Sequence, residues 1–305
     1  MKNYKTRFLV LSALLVSLNS FSQKMNIGKY DETGQTISKI RVASAAVLPK
    51  KWDKAQNWER IERLVRTAAT EGDAKLVVTP EGALEGYVVN EVNREEDMQK
   101  KEQMIRDFFL LAEPQDGPYV KRACALSNEL DIFLVLGYLE KADEFLHNTV
   151  ILIDPDGDII GKYRKTHFAQ GYTKKPSEYR AGDQYPLFQT PFGKVGMLIC
   201  YDRQLPEPAR ILAVKGAQAL LISSYGSYND KDGWNTVLLR TRAYENKVPL
   251  VFSHPFQSLL IERNGQILGM GNSNEVIYFD MYTAPNRYEG RFRNRRPETY
   301  GELIR

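Results

Sequence analysis

The chain of 305 residues has few of the side chains that build disulfide frameworks or metal sites. It contains two cysteines, Cys124 and Cys200, and three histidines, His147, His167 and His254. Two cysteines are too few for a disulfide framework or a cysteine-rich zinc site. The histidines show neither HxH nor HxxxH spacing, so we expect no metal site.

Long apolar runs are also scarce, and the one present lies at the N-terminus. Three basic residues in the first seven positions precede an apolar run at residues 8–18, and small residues follow up to Ser22. This pattern predicts a secretory signal peptide at residues 1–22, cleaved near Ser22, and a secreted or periplasmic protein. A buried N-terminal helix is the alternative. The run is shorter than the roughly 20 residues that span a bilayer, so we expect no membrane span.

An excess of charge of one sign is lacking as well. Three of the 42 basic residues and none of the 38 acidic residues lie in residues 1–22, so cleavage lowers the net charge from +4 to +1. A surface this balanced gives no support for nucleic-acid binding. With 26% charged and 43% hydrophobic residues, the composition is that of an ordinary globular protein and excludes a largely disordered chain.

Apolar segments of strand length alternate with segments of helical periodicity. Strands are predicted at residues 40–47, 75–79, 132–139, 194–200 and 219–223, and helices at residues 57–71, 91–112, 117–129, 206–215 and 236–246. This alternation predicts an α/β fold with sheets covered by helices. We expect an irregular lead-in at 23–39, one domain at 40–285, and a C-terminal tail at 286–305. The tail holds six arginines against three glutamates, and we expect it to lie across a partner subunit.

Three reactive side chains each stand where a predicted strand ends. Glu81 follows KLVVTP, Lys165 follows a short strand in GKYRKTHF, and Cys200 ends KVGMLIC. Functional side chains of α/β sheets gather at the carboxyl ends of strands, so the three could converge. A strand-to-helix turn suits a thiolate nucleophile. Its usual helper is a histidine, here His167, but a glutamate base and a lysine beside the oxyanion can replace it. Taken singly, each residue also has an ordinary structural explanation.

Together, these segments resemble a known family. VVTPEGALEGY, GKYRKTHF and GKVGMLICYDRQLPEPAR are similar to the three signature blocks of the carbon–nitrogen hydrolase (nitrilase) superfamily, in the same order. The resemblance covers roughly residues 40–280 and implies an αββα four-layer sandwich that needs no metal or organic cofactor. It implies that Cys200 is the nucleophile, Glu81 the general base and Lys165 the cation beside the oxyanion, with the backbone N–H of Tyr201 as a second donor.

The resemblance also suggests residues around the triad. Many relatives have a second glutamate between the lysine and the cysteine, for which Glu178 is the candidate, although the register in several branches falls nearer Lys174 or Lys175. A plain surface carboxylate is the alternative for Glu178. Arg203 lies where D-amino-acid carbamoylases of the superfamily hold a substrate carboxylate, but pairing with Asp202 or Glu207 would also explain it.

Three further side chains are candidates for lining the substrate pocket. They are His167, Tyr87 and Tyr225, and packing roles are equally open for them. Cys124, inside a predicted helix, is expected to be inert, and we expect both thiols to stay free.

The functional expectation is a hydrolase of linear amides or N-carbamoyl compounds that works through a thioester on Cys200 and releases ammonia or an amine. A nitrilase that cleaves a nitrile with the same triad is the alternative within enzymes. A catalytically silent homologue that serves as a binding protein is the alternative from another class. We expect a homodimer or a higher homo-oligomer, because the family commonly dimerises.

Overall fold

The computed structural model describes residues 29–30, 36–169, 178–226, 233–286 and 290–304. The predicted signal peptide and the alternative positions Lys174 and Lys175 lie outside these residues. Within the described ranges, no helix combines the length and the apolarity that a bilayer crossing requires.

In chain order, the strands are β1 (Lys29–Tyr30), β2 (Thr36–Ala45), β3 (Leu76–Val78), β4 (Phe133–Ala142), β5 (Phe145–Ile153), β6 (Ile159–Arg164), β7 (Leu187–Thr190), β8 (Gly193–Ile199), β9 (Ala219–Ser223), β10 (Leu250–Ser253), β11 (Ser258–Ile261), β12 (Ile267–Gly271) and β13 (Val276–Thr283). The helices are α1 (Lys54–Thr70), α2 (Val89–Arg94), α3 (Met98–Leu111), α4 (Pro118–Leu130), α5 (Pro206–Lys215), α6 (Trp234–Asn246) and α7 (Gly290–Arg293). Short 3₁₀ helices cover Cys200–Gln204, Pro297–Thr299 and Gly301–Ile304.

The strands form two sheets that share one plan. The first sheet has the order β1-β2-β3-β4-β5-β6, with β13 also paired to β2, and the second has the order β12-β11-β10-β9-β8-β7. In each sheet three neighbouring strands are parallel, β2-β3-β4 in the first and β8-β9-β10 in the second. The outer strands are antiparallel. The parallel strands of each sheet therefore end at one edge.

The two sheets pack face to face, and helices cover their outer sides. Val42 and Val78 of the first sheet belong to the apolar cluster that includes the second sheet. Their neighbours Ala43 and Val77 point the opposite way, as the strand period requires, and pack with α1 and α4. Helices α5 and α6 cover the second sheet, where Leu212 joins its core. The layers are thus α, β, β and α, which confirms the predicted sandwich.

Several predicted boundaries were wrong. The segment 91–112 forms two helices, because the side chain of Asp97 accepts hydrogen bonds from the N–H groups of Gln99 and Lys100 and so begins a new helix. The first long strand begins at Thr36 rather than residue 40, and β1 also falls in the segment predicted to be an irregular lead-in. Within the added part of β2, Thr36 and Ile37 pair with β1, whereas Ser38 and Lys39 pair with β13, about 240 residues further along the chain. The hydrophobic pattern of one segment contains no information about a strand partner so far away in the sequence.

Hydrogen bonds join the two sheets close to the strand ends. Ser44 Oγ donates to Ser258 Oγ over 2.8 Å, and Ser223 Oγ donates to the carbonyl oxygen of Thr79 over 2.8 Å. Gly137 of β4 lies close to the turn that follows β3, and a Cβ at position 137 would lie 2.2 Å from the carbonyl oxygen of Pro80. Any side chain at position 137 would therefore push the turn that leads into Glu81.

Candidate active site

Glu81 is held in a fixed position directly after β3. The strand is fully buried in the middle of the first sheet, and Thr79 continues its pairing by donating to the carbonyl oxygen of Val135. The carboxylate of Glu81 is completely buried. Its Oε1 accepts hydrogen bonds from Lys165 Nζ and Asn148 Nδ2, both at 2.6 Å, and its Oε2 accepts from the backbone N–H of Tyr225 at 2.9 Å. All three groups donate to the carboxylate, so both of its oxygens act as acceptors and its orientation is fixed.

Lys165 reaches Glu81 from the end of β6. Its backbone N–H donates to the carbonyl oxygen of Asn148 at 2.8 Å, which extends the pairing of β5 and β6 by one residue. Its side chain is only 2% exposed. Burial opposes the ammonium charge, yet the pKa of Lys165 is raised above its ordinary value because Glu81 and the sulfur of Cys200 favour the cation. Lys165 therefore remains charged within the site.

Cys200 directly follows β8 and begins the 3₁₀ helix Cys200–Gln204, so it lies at a strand-to-helix turn as predicted. Its φ angle is +47°, a left-handed conformation that is uncommon for a residue with a Cβ. The side chain is 7% exposed, and a Cβ built on Gly226 would lie 3.7 Å from its Sγ. Both cysteines are free, and burial raises the pKa of the Cys124 thiol.

Asp202 connects the turn of Cys200 to the segment of Lys165. This fully buried carboxylate accepts from the backbone N–H of Ile199 and from the hydroxyl of Tyr163 through Oδ2. Its Oδ1 accepts from the hydroxyl of Thr166 and from the backbone N–H of His167, each at 3.0 Å. The turn at Cys200, on the second sheet, is thus hydrogen-bonded to the segment of the first sheet that directly follows Lys165.

His167 takes part in this connection. Its Nδ1 lies 3.0 Å from Asp202 Oδ1 and 2.9 Å from Thr166 Oγ1, and its side chain is 31% exposed. It pairs with the carboxylate rather than with the sulfur of Cys200, so its position does not match that of the usual cysteine helper. A role in lining the pocket stays a prediction.

The aromatic candidates surround the glutamate–lysine pair. The Tyr87 ring lies 5.6 Å from Lys165 Nζ and packs against the Tyr225 ring at 5.1 Å between centroids. Burial, with the nearby charges of Glu81 and Cys200, raises the pKa of Tyr87. Tyr225 contributes its backbone N–H to Glu81, and Tyr201 is half-buried immediately after Cys200.

Arg203 is 2% exposed and points back at Cys200. Its Nη1 donates to the Cys200 carbonyl oxygen at 2.7 Å, to Ser224 Oγ at 3.1 Å and to Cys200 Sγ at 3.5 Å, and its Nη2 donates to Asn235 Oδ1 at 2.8 Å. The alternative interpretation, a pairing with Asp202 or Glu207, is wrong, because neither carboxylate is among the acceptors of Arg203.

Glu178 is half-buried, and its carbonyl oxygen accepts from the backbone N–H of Leu146. Within the described ranges, its carboxylate has no hydrogen bond or ion pair to the three central residues. Its assignment as the second glutamate stays a prediction.

Sequence reasoning missed two polar side chains beside Glu81. Asn148 interrupts the apolar strand HNTVILI, and an amide within such a strand is a signal that could have identified it. Glu85 is 5% exposed, and its Oε2 accepts from the backbone N–H of Leu139. Burial raises the pKa of Glu85 to about 7. Nothing in its local sequence distinguishes it from a solvated glutamate.

The arrangement provides a buried thiol, a carboxylate with a fixed orientation and a permanent cation. A carboxylate can accept a thiol proton, and a cation can stabilise an oxyanion, so the site suits attack on a carbonyl-type carbon. Within the described part of the chain, no group of three or more His, Cys, Asp or Glu side chains is placed to hold a metal ion.

A four-layer sandwich with glutamate, lysine and cysteine at converging strand ends defines the nitrilase superfamily. Residues 41–281 match the carbon-nitrogen hydrolase family, and the chain belongs to this family. The protein is therefore a carbon–nitrogen hydrolase, as its signature blocks predicted.

The similar proteins include several enzymes. The chain is 29% identical to a citrullinase of Francisella tularensis, with 83% of this chain and 94% of the relative covered. It is 31% identical to an N-carbamoylputrescine amidase of Arabidopsis thaliana, with 83% and 91% covered. A solved amidase from Nesterenkonia sp. AN1, in complex with acrylamide, superposes with a TM-score of 0.69 at 20% identity, covering 87% of this chain and 97% of that one. At that identity the likeness supports the fold alone.

Proposed function

We propose that this protein hydrolyses a linear amide or N-carbamoyl substrate through a thioester on Cys200. The observation that carries the proposal is the pair of 2.6 Å hydrogen bonds to Glu81 Oε1 from Lys165 and Asn148, with the thiol of Cys200 at the adjoining strand end. A buried carboxylate that accepts three hydrogen bonds has a fixed orientation. A relative named N-carbamoylputrescine amidase supports the N-carbamoyl class.

In the first half of the proposed reaction, Glu81 accepts the Cys200 proton and the thiolate attacks the carbonyl carbon. Lys165 and the backbone N–H of Tyr201 stabilise the oxyanion, each worth roughly 3–4 kcal/mol when well placed. Glu81 then returns the proton to the departing amine, which leaves an acyl group on Cys200.

In the second half, Glu81 deprotonates a water molecule that attacks the thioester. The carbonyl-sulfur bond breaks, the acid is released, and the proton passes from Glu81 to the sulfur. Glu81 serves in both halves because its proton is restored at the end of each cycle. Glu178 remains the candidate for a supporting carboxylate, and Tyr87, Tyr225 and His167 for the substrate side of the pocket.

Ammonia release from primary amides, N-carbamoyl compounds and nitriles tests this function. We expect turnover of an amide or carbamoyl substrate by the wild type, none by Cys200→Ala, and wild-type rates for the matched control Cys124→Ala. Turnover of nitriles alone would favour a nitrilase. Wild type and Cys200→Ala that are equally inert on the whole panel would favour a silent binding homologue.

We also propose that the protein forms a homodimer through α5, α6 and the C-terminal tail. This outer layer exposes the large apolar side chains of Ile211, Val214, Val237, Tyr244 and Leu303. No large apolar side chain is exposed on the described α1 and α4. Arg210 and Tyr300 line an adjoining cavity of about 470 Å³. Size-exclusion chromatography with light scattering should give twice the monomer mass for the wild type and for the control Met98→Glu. Val214→Glu should give the monomer, and an unchanged dimer would contradict this interface.

Export of the protein rests on the N-terminal sequence. We propose cleavage near Ser22 and release to the periplasm or the medium. Fractionation of the native host with N-terminal sequencing tests this, because a chain that keeps Met1 in the cytosolic fraction would refute it.

A further inference from the structure

We propose that Arg203 is a second cation of the catalytic centre, which stabilises the thiolate of Cys200 and fixes the backbone of that residue. The proposal rests on the proposed role of Cys200 as the nucleophile. It assigns to Arg203 a partner within the protein, in place of the carboxylate of a substrate.

The surroundings of Arg203 lack an ordinary counter-ion. The side chain is 2% exposed, and its acceptors among the described residues are the carbonyl oxygen and Sγ of Cys200, Ser224 Oγ and Asn235 Oδ1. None of these is a carboxylate. A buried cation is costly unless an anion compensates it. The sulfur of Cys200, 3.5 Å from Nη1, is the one acceptor in this set that becomes an anion by losing a proton.

The two buried cations are divided between the two groups that exchange the proton. Lys165 is bound to Glu81 Oε1 at 2.6 Å, which favours the carboxylate and so opposes transfer of the thiol proton to Glu81. Arg203 donates a hydrogen bond to Cys200 Sγ, which favours the thiolate and so promotes transfer of the thiol proton to Glu81. With a cation on each side, the proton can move from Sγ to Glu81 without leaving either partner uncompensated.

The other titratable groups that face the site do not replace Arg203. Burial and the charge of Arg203 lower the pKa of His254 to about 4, so this imidazole is neutral at pH 7. Burial raises the pKa of Tyr87, which stays a neutral phenol. Glu85, with a pKa raised by burial to about 7, lies on the side of Glu81 and adds negative charge there only as the pH rises through about 7. Asp202 directs its oxygens to Ile199, Tyr163, Thr166 and His167.

Arg203 also supports the unusual backbone of the nucleophile. The 2.7 Å hydrogen bond from Nη1 to the Cys200 carbonyl oxygen fixes a residue whose φ angle is +47°. The guanidinium is itself anchored by Asn235, which lies in α6, and Arg242 Nε donates to the Arg203 carbonyl oxygen at 3.2 Å. Both terminal nitrogens are engaged, and the buried Nε has no hydrogen-bond partner among the described residues. A substrate carboxylate that approached the two terminal nitrogens end-on would therefore compete with hydrogen bonds already made within the protein.

The test is the pH profile of Cys200 alkylation by iodoacetamide, in which the thiolate displaces iodide, followed by mass spectrometry of the Cys200 peptide. It needs no substrate, so it separates this proposal from the proposed function. Compared with the wild type and the surface control Arg106→Gln, Arg203→Gln should move the profile to higher pH and slow alkylation at pH 7 by about tenfold or more. Arg203→Lys keeps the charge but loses the planar fork, so it should recover part of the rate.

Thermal unfolding of each variant shows whether slower alkylation is caused by loss of the folded structure. If Arg203→Gln does not fold, Asn235→Ala removes only the anchor of the guanidinium and should shift the profile in the same direction, by less. Wild-type profiles in Asn235→Ala and in every folded Arg203 variant would overturn the proposal. So would an Arg203→Gln enzyme whose single defect is a higher KM for substrates that carry a carboxylate.

Discussion

The two sheets bury opposite kinds of charge. Among the described residues, the first sheet and its loops bury four glutamates, Glu81, Glu85, Glu113 and Glu140, whereas the second sheet and its helices bury two arginines, Arg203 and Arg242. Each sheet also buries one group of the other sign, Lys165 in the first and Asp202 in the second. The proposed proton acceptor therefore lies on an acidic sheet, and the proposed nucleophile lies on a basic one. The site becomes complete only where the two edges meet.

The largest expected effect comes from removing the central group of each sheet. Cys200→Ala should abolish both turnover and the acyl adduct on the enzyme. Glu81→Gln should keep the thiol but slow adduct formation by about 10²–10⁴-fold, the range typical of a lost general base. Intact-mass measurements over a time course distinguish the two. A rapid adduct in Glu81→Gln would show that the carboxylate of the first sheet is not the proton acceptor.

Glu140 tests the acidic sheet away from the site. It accepts hydrogen bonds from Arg164 Nε at 2.7 Å and Lys162 Nζ at 2.9 Å. Burial opposes its charge, but these cations lower the pKa of Glu140 to about 2. A lowered pKa stabilises the fold above pH 4.5, and this contribution is lost as the pH falls through about 2.

Glu140→Gln should lower the free energy of unfolding at pH 7 by about 3 kcal/mol, because two cations lose their anion. Urea denaturation measures this loss. The surface variant Glu129→Gln, whose carboxylate is 58% exposed, should cost far less than Glu140→Gln, whose carboxylate is 2% exposed. Equal losses in the two variants would remove the distinction between buried and surface pairs.

Glu85 gives a pH dependence of the opposite sign. Because burial raises its pKa to about 7, the stability that the neutral acid provides is fully present below about pH 4.5 and is lost as the pH rises through 7. Glu85→Gln stays neutral and should be more stable than the wild type by about 2 kcal/mol at pH 8. Denaturation at pH 5 and pH 8 checks this. Parallel losses in both proteins between these pH values would assign the effect to another group.

The smallest expected effect concerns the contact between the sheets. Ser223→Ala removes the hydrogen bond from β9 to the carbonyl oxygen of Thr79, two residues before Glu81. We expect a loss of about 1 kcal/mol in the free energy of unfolding, with a several-fold lower kcat at unchanged KM. Thr70→Ala, a surface hydroxyl on α1, is the matched control. If kcat is unchanged, the docking of the sheets does not depend on this bond.

Much of the fold and the centre of the site could be predicted because their signals are local. Glu81, Lys165 and Cys200 each stand in a signature block after an apolar strand, and parallel strand ends meet at one edge of a sheet. The role of Asp202 was not predictable, because its partners Tyr163 and Thr166 lie almost 40 positions away. The orientation of Arg203 was missed for the same reason, since its anchors Ser224 and Asn235 belong to later elements.

The distribution of the site over two sheets bears on fragments of this protein. A piece that ends before β8 contains the carboxylate and the ammonium but no sulfur at the reaction centre, and the remaining piece contains an ordinary cysteine. A fragment produced by a premature stop or by proteolytic nicking would therefore be inactive rather than partly active. Turnover would return only when the two pieces reassociate. If the two pieces were expressed from separate genes, the presence or absence of turnover would show whether the two sheets had assembled.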